Sequence, residues 1–367
     1  MAQKVKPTKV PAERDFTAGV TRSFSCSYAG STGDRKIDDK IMALSREIVG
    51  DENHCLLAEM MMTAVQVARG GVADSEFKLM NRTLKEMHET EEVFSKYENC
   101  RKVAIYGSAR TLPEEPEYQT ALKFAERMTE EGFMSITGAG PGIMAAGNEG
   151  AGRDDSFGLE ISLPFEAYAN EFIANDHKLI EYNYFFTRKL AFVKEAHAAV
   201  GCPGGFGTMD EVFEALTLMQ TGKALVYPIV LLDAPGGEYW NFWDRFVREH
   251  LYEAKLISEH DFALYKVTDN VEEAVNEITN FYRNYHSYRY VGDKIVIRLF
   301  KEISESEVRQ LEKDFGDIIK SGGMELRGAF EEEGDDPRNS ELPRLVFRHA
   351  RRSFGRLRLL IDAINKL

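Results

Sequence analysis

The residues with the clearest chemical potential form a glycine-rich segment, residues 203–211 (PGGFGTMDE), placed between an apolar segment and an amphipathic one. Its glycines, Gly204, Gly205 and Gly207, permit tight turns and let backbone N–H groups approach a ligand closely. A helix that starts here adds unpaired N–H groups and the positive end of its dipole, and Thr208 adds a hydroxyl. The segment therefore predicts a phosphate cradle. Because the Gly-Lys-Ser/Thr ending of a triphosphate loop is absent, a monophosphate or sugar phosphate fits better.

Two further glycine-rich turns follow predicted strands, at residues 107–110 (GSAR) and 138–142 (GAGPG). Each turn alone is equally well explained as a simple tight turn. Three such turns at the strand ends of one sheet predict a shared ligand crevice. The candidate binding residues in and beside these two turns are Gly107, Ser108, Gly138, Gly140, Gly142 and Met144.

A carboxylate and a cation are the candidate catalytic groups. Glu211 is expected in the first turn of its helix, where it could simply complement the helix dipole. It could also face the sugar attached to a bound phosphate, and there stabilise positive charge at the anomeric carbon or orient a water. Arg188 could fork onto phosphate oxygens or hydrogen-bond a departing base. Lys189, the next residue, is a further candidate for binding the substrate. Arg188 and Lys189 could instead form an ordinary solvated pair on a helix face.

Alternating strands and helices are predicted to position these groups. Short apolar segments predict strands at 103–107, 133–137, 157–163, 178–182, 198–202 and 228–232. Amphipathic segments predict helices at 118–131, 143–152, 185–196, 209–221 and 239 to about 254. This alternation predicts an α/β fold with a Rossmann-like, doubly wound parallel sheet, which binds ligands at the carboxyl ends of its strands.

The rest of the sequence predicts further regions before and after that core. We divide it into a poorly ordered arm (1–38), a helical N-terminal region (39–98), the Rossmann-like catalytic core (99–288) and a small α+β C-terminal appendage (289–367). Gly70 and Gly71 separate two predicted helices in the N-terminal region. In the appendage we expect strands at 295–299, 324–329 and 345–347, and helices at 305–319 and 352–367.

Composition narrows the function classes. The 367 residues include 46 Lys+Arg against 60 Asp+Glu, a net charge of −14 that disfavours nucleic acid as a partner. The arginine-rich stretch 344–358 fits either a docked helix with a solvated basic side or an anion-binding patch, and we favour the docked helix. Neither histidines nor cysteines show zinc-ligand spacing, and no metal or other cofactor is expected. Because the sequence shows neither a long apolar run nor a signal region, we expect a soluble cytoplasmic protein that does not bind a membrane.

The motifs together resemble the Lonely Guy (LOG) family, phosphoribohydrolases that are often mislabelled lysine decarboxylases. The resemblance rests on residues 107–110, 137–144 (TGAGPGIM), 186–189 (FTRK) and 203–211, the last matching the family's PGGxGTxxE motif in full. It covers residues 102 to about 233, and the length of the chain is similar to that of the longer bacterial members. Ala139 and Ala145 depart from the family, which often has glycine and glutamate there.

The resemblance implies hydrolysis of the N-glycosidic bond of a nucleoside 5′-monophosphate, AMP-like or a cytokinin riboside monophosphate, to free base and ribose 5-phosphate. Arg188 and Glu211 would be the catalytic pair, with the glycines and Thr208 of residues 204–208 on the phosphate. A homo-oligomer, dimeric or larger, is also implied. A non-catalytic nucleotide-binding or molybdenum-cofactor-carrier-like protein on the same fold is the alternative. A pyridoxal-dependent decarboxylase is disfavoured because no lysine is singled out for a Schiff base.

Overall fold

The structure is a computed structural model that describes residues 30–163, 169–330, 333 and 339–367. The chain divides into two compact units, with the boundary between His88 and Glu89. Most of the expected N-terminal arm, residues 1–29, lies outside the described residues. The first helix begins at Arg35, four residues before the expected start of the helical region.

Two helices make up the unit before the boundary, α1 (Arg35–Arg69) and most of α2 (Asp74–Phe94). The Asp34 side chain caps α1 by accepting the N–H of Lys36 at 3.0 Å. The backbone of α1 is interrupted at Gly50, whose φ of 72° is outside the helical region. The expected break at Gly70 and Gly71 is confirmed, because the helix ends there.

The second unit contains a seven-stranded sheet in which every neighbouring pair is parallel, and the predicted fold class is confirmed. The strand order is β4-β3-β2-β1-β5-β6-β7. The strands are β1 (Lys102–Tyr106), β2 (Met134–Thr137), β3 (Ser156–Ile161), β4 (Leu179–Tyr182), β5 (Ala198–Gly201), β6 (Ile229–Leu232) and β7 (Tyr265–Thr268). Only β7 has no counterpart among the predicted strands.

Helices cover both faces of this sheet. They are α3 (Pro116–Glu130), α4 (Ile143–Ala151), α5 (Phe185–Glu195), α6 (Phe206–Gln220), α7 (Tyr239–Phe246) and α8 (Val271–Phe281). Successive residues of a strand point to opposite faces, so Val103 and Ile105 share one apolar cluster with α3, α4 and α8. Ala104 and Tyr106 share the other with α5, α6 and α7. Burial on both faces explains why β1 reads as a continuous apolar run.

A four-stranded antiparallel sheet follows in the order β10-β11-β9-β8. Its elements are β8 (Tyr285–Val291), β9 (Lys294–Leu299), α9 (Glu305–Asp314), β10 (Ile319–Arg327), β11 (Arg344–His349) and α10 (Phe354–Ile364). The helix expected at 305–319 ends at Asp314, because the chain leaves the helix at Phe315 and turns into β10. Leu357 and Ile361 of α10 belong to the same apolar cluster as Val103, so this sheet shares a core with the parallel one.

The arginine-rich stretch is largely occupied by local partners. Arg344 and Arg298 both bond the buried carboxylate of Glu333, at 3.1 and 2.7 Å. Arg356 bonds Asp317 at 2.6 Å. The other residues of the acidic run at 331–336 lie outside the described residues. Such pairing favours the docked-helix interpretation over an anion-binding patch.

None of the helices in the described part of the chain combines the length and apolar character needed to cross a bilayer.

Candidate active site

A cavity of about 860 Å³ opens at the carboxyl ends of β1, β2 and β5, near the point where the strand order reverses. Parallel sheets of this kind bind ligands at such a point, because neighbouring strands send their connections to opposite faces there. The structure brings ten of the thirteen predicted site residues into the cavity wall. These are Gly107, Ser108, Gly138, Met144, Arg188, Gly204, Gly205, Gly207, Thr208 and Glu211.

The predicted phosphate cradle forms the first turn of α6. The helix starts at Phe206, with Gly205 at its N-cap, and not at Met209 as expected. No side chain in the described part of the chain caps it, so the backbone N–H groups of its first turn are available to a ligand. Gly207 does not adopt a positive φ, so it continues the helix that starts at Phe206. As a consequence Glu211 lies in the second turn, and the expectation of a first-turn position was wrong.

Gly204 holds the cradle against the turn that follows β1. A Cβ atom built on Gly204 would lie 2.8 Å from the Cβ of Thr208 and 3.0 Å from the backbone nitrogen of Ser108. The Ser108 N–H donates to the carbonyl of Pro203 at 3.1 Å. Only glycine fits between these neighbours, whereas Gly205 has no atom within 4 Å of such a Cβ.

Gly140 and Gly142 shape the turn after β2 without lining the cavity. Gly142 has φ 68°, and a Cβ atom there would lie 2.7 Å from the carbonyl carbon of Ala109. The next N–H, of Ile143, donates to the carbonyl of Ser108 at 2.9 Å. Gly142 therefore packs the turns after β1 and β2 against each other, and Gly140 gives Met144 room beside them.

Ala139 keeps this turn despite its departure from the family. It is buried with φ 62°, a left-handed conformation that costs a non-glycine residue about 1–2 kcal/mol. Its N–H donates to Thr137 Oγ1 at 3.0 Å, and its carbonyl accepts the N–H of Asn170 at 2.8 Å. These bonds hold the alanine in the conformation that a glycine would adopt freely.

Arg188 of α5 and Glu211 of α6 face each other across the cavity wall. Arg188 Nη2 and Glu211 Oε1 are 3.7 Å apart, and the side chains are only 12% and 8% exposed. This distance is outside hydrogen-bonding range. Arg188 Nε is buried and has no hydrogen-bond partner among the described residues, and the guanidinium lies over the ring of Phe185 at 5.1 Å. The pair thus keeps donor and acceptor capacity for a ligand.

One comparison with known proteins names a family. A family model described as "Possible lysine decarboxylase" matches residues 127–278, less than half of the chain. Those residues are similar to this family. It is the LOG family that the motifs resemble, and the match includes Arg188, Glu211 and the whole cradle.

Other comparisons describe only the fold. A search of curated proteins finds no match. The X-ray structure of TM1055, a structural-genomics target, is 22% identical over 49% of this chain and 98% of its own, with a TM-score of 0.36. A molybdenum cofactor binding protein from Rippkaea orientalis is 17% identical over 49% and 96%, with a TM-score of 0.34. DNA processing protein A from Streptococcus pneumoniae is 12% identical over 68% and 95%, with a TM-score of 0.36. At these values the similarities carry no argument about function.

The electrostatics of Arg188 and Glu211 follow from burial. Desolvation raises the pKa of Glu211 to about 7, although the positive charges of Arg188 and Lys189 oppose the shift. Burial also lowers the pKa of Arg188, against the attraction of Glu211. A carboxyl group poised near neutrality in a cavity is suited to proton transfer. In the described residues, no group of three or more His, Cys, Asp or Glu side chains is arranged to hold a metal ion.

Lys189, the remaining predicted binding residue, does not line the cavity. Its Nζ contacts Asp210 Oδ2 at 2.7 Å and Glu214 Oε2 at 2.9 Å. Burial alone would lower the pKa of Lys189, but the hydrogen bonds to these two carboxylates outweigh it and raise the pKa. Lys189 therefore ties α5 to α6 beside the pair.

Several cavity residues were not assigned from the sequence. Arg110, the last residue of the GSAR turn at 107–110, is an exposed cation in the cavity wall. Tyr239 donates its hydroxyl proton to the carbonyl of Gly204 at 2.5 Å and so supports the cradle from α7. An apolar part of the wall comes from Ile161, Leu163, Phe185 and Phe192. These apolar residues occupy ordinary strand-end and helix positions, and no spacing in the sequence distinguishes them.

Proposed function

We propose that this chain hydrolyses the N-glycosidic bond of a nucleoside 5′-monophosphate, AMP-like or a cytokinin riboside monophosphate, to free base and ribose 5-phosphate. The observation that carries the proposal is the arrangement of one helix. Thr208 in the first turn of α6 and Glu211 one turn later both line the same cavity. Residues three positions apart share a helix face, so a phosphate at the cradle places its sugar beside the carboxylate.

The residues divide the reaction between them. The N–H groups of the first turn of α6 hold the 5′-phosphate and fix the position of the anomeric carbon. As the carbon–nitrogen bond to the base breaks, ionised Glu211 stabilises the positive charge on the sugar and accepts a proton from the attacking water. The water oxygen forms the new bond to the anomeric carbon. The departing base takes the electron pair of the broken bond and a proton from solvent, and the proton on Glu211 returns to solvent.

Arg188 supports the leaving group. Its Nε, which has no hydrogen-bond partner among the described residues, and its long contact to Glu211 leave donors for the base or the nucleotide. The apolar wall from Ile161, Leu163 and Phe185 suits the flat face of a heterocycle.

Adenine release from AMP tests this proposal directly. The purified chain is incubated with AMP and, as a control without phosphate, with adenosine, and the products are separated by chromatography. We expect adenine from AMP and much less from adenosine. Glu211→Gln should abolish release while AMP still binds in calorimetry. Glu214→Gln, one turn further along α6 and outside the cavity wall, is the matched control and should keep activity.

The outcomes separate the two function classes. Binding of nucleotides by the native chain without release of any base, across a panel of nucleoside monophosphates, would favour the non-catalytic carrier. Full turnover by Glu211→Gln would refute the assigned role of this carboxylate.

A further inference from the structure

The helical unit that ends at His88 carries two rows of mostly apolar, mostly exposed residues that the proposed reaction does not use. On α1 the row is Leu56, Met60, Thr63 and Val67, with spacings of four, three and four residues. On α2 the row is Phe77, Met80, Leu84 and Met87, with spacings of three, four and three. Alternating three- and four-residue spacing is the pattern of helices that pack through knobs and holes.

Both rows face one groove. A cavity of about 590 Å³ between the helices is lined by the whole α1 row and by Phe77, Met80 and Leu84. Glu59 is the only charged residue in its lining. The two rows therefore lie on the same side of the helix pair, where each remains open to further packing.

The unit has little core of its own among its described residues. One apolar cluster buries only Ile41, Ala58 and Met62. By contrast, Met60 and Leu84 are each 53% exposed, and Met87 is 47% exposed. Helix pairs are stable when such stripes are buried against another element.

The exposed area approaches what a stable dimer interface needs. Leu56, Met60, Phe77, Met80, Leu84 and Met87 are between 38% and 53% exposed. With about 200 Å² for each whole residue, they expose roughly 550 Å² per copy. Two copies in contact would remove about 1,100 Å² from water through these residues alone, close to the lower end of stable specific interfaces once the rims are included.

We propose that a second copy of this chain covers the groove, so that the two helix pairs form a four-helix bundle. Each copy supplies its two rows, and a two-fold axis brings the same surface of both copies together. A groove with one charged lining residue per copy imposes little charge repulsion on that contact. The proposal concerns the helical unit and does not depend on the reaction at the cavity.

The test uses the full chain and two matched variants. Met60→Glu with Leu84→Glu places one carboxylate on the α1 row and one on the α2 row of each copy. Ala68→Glu with Ser75→Glu places the same charges on exposed positions that do not line the groove. Circular dichroism checks that helix content is retained, and sedimentation velocity gives the mass. Lysine cross-linking of mixed ¹⁴N- and ¹⁵N-labelled copies, read by mass spectrometry, identifies links between copies at Lys78 and Lys85.

The expected results distinguish a second copy from any other cover. The native chain and the control variant should show mixed-isotope links at Lys78 or Lys85. The groove variant should lose those links at least tenfold, and its mass should halve unless the copies also meet elsewhere. If the native chain gives no mixed-isotope links there, or the groove variant keeps them, the proposal is overturned, and another segment or protein covers the groove.

Discussion

Replacing Glu211 by Gln should abolish base release and at the same time stabilise the folded chain, increasingly so as the pH rises. The reason is that burial raises the pKa of this carboxyl from its ordinary value of 4.5 to about 7, against the opposing charges of Arg188 and Lys189. A carboxyl with a raised pKa costs the fold nothing below pH 4.5. It costs progressively more as the pH rises, until the group is ionised in both states above about pH 7.

The size of the effect follows from that shift. A change of about 2.5 pKa units corresponds to about 3 kcal/mol at pH values well above 7, while Arg188 keeps its charge. Between pH 5.5 and 8.5 the stability advantage of Glu211→Gln over the native chain should grow by about 2 kcal/mol. For a unit of this size that is a relative gain in Tm of roughly 3–4 °C.

Calorimetric or denaturant unfolding of both chains at the two pH values measures this difference. Glu214→Gln is the control for neutralising a carboxylate on the same helix outside the cavity wall. A stability difference that stays constant with pH, or that shrinks as the pH rises, would show that Glu211 is not held at a raised pKa. The electrostatic part of the mechanism would then fail even if the variant is inactive.

Four further outcomes follow from the same geometry. The value of kcat/KM should rise with pH through an apparent pKa of about 7, since only ionised Glu211 can accept a proton, and a profile that falls through this range contradicts the role. Gly204→Ala should raise KM for AMP at least tenfold because its methyl group collides with the cradle, while Gly205→Ala stays within about twofold; similar KM values for the two would refute the steric argument. Lys189→Ala should change KM by less than about threefold, since its ammonium group is held by carboxylates outside the cavity wall, and a loss comparable to that of Gly204→Ala would place it on the substrate. Arg110→Gln should raise KM for AMP by about three- to tenfold and leave the reaction of adenosine unchanged, and equal losses with both substrates would rule out a phosphate contact.

Local patterns were sufficient for most of the parallel sheet. Buried strands such as β1 are continuous apolar runs, and the glycine turns that follow them punctuate the sequence clearly. The elements between residues 255 and 290 were missed because their pattern depends on partners elsewhere. β7 has four residues, only one of them buried, and pairing with β6 defines it. β8 mixes aromatic and polar residues and gains its register from β9.

The site shows the same division between local and distant causes. The sequence pattern made Arg188 and Glu211 candidates on two predicted helices, and the family resemblance implied that they form a pair. The pattern alone could not tell Arg188 from Lys189, because successive residues point about 100° apart on a helix and only packing decides which one faces the cavity. The structure directs Arg188 into the cavity wall and Lys189 toward Asp210 and Glu214.

The early start of α6 has a consequence for how the site works. In the first turn of a helix, a carboxylate is stabilised by free N–H groups and by the dipole, which would keep the pKa of Glu211 low. In the second turn those N–H groups are beyond its reach and remain available to an anion, so burial dominates and the pKa rises to about 7. In the proposed reaction, one helix thus separates anion binding, at Gly205 to Thr208, from proton transfer, one turn later. A helix that began at Met209 would have placed both tasks on the same N–H groups, and a bound phosphate would then compete with the carboxylate that has to act on its sugar.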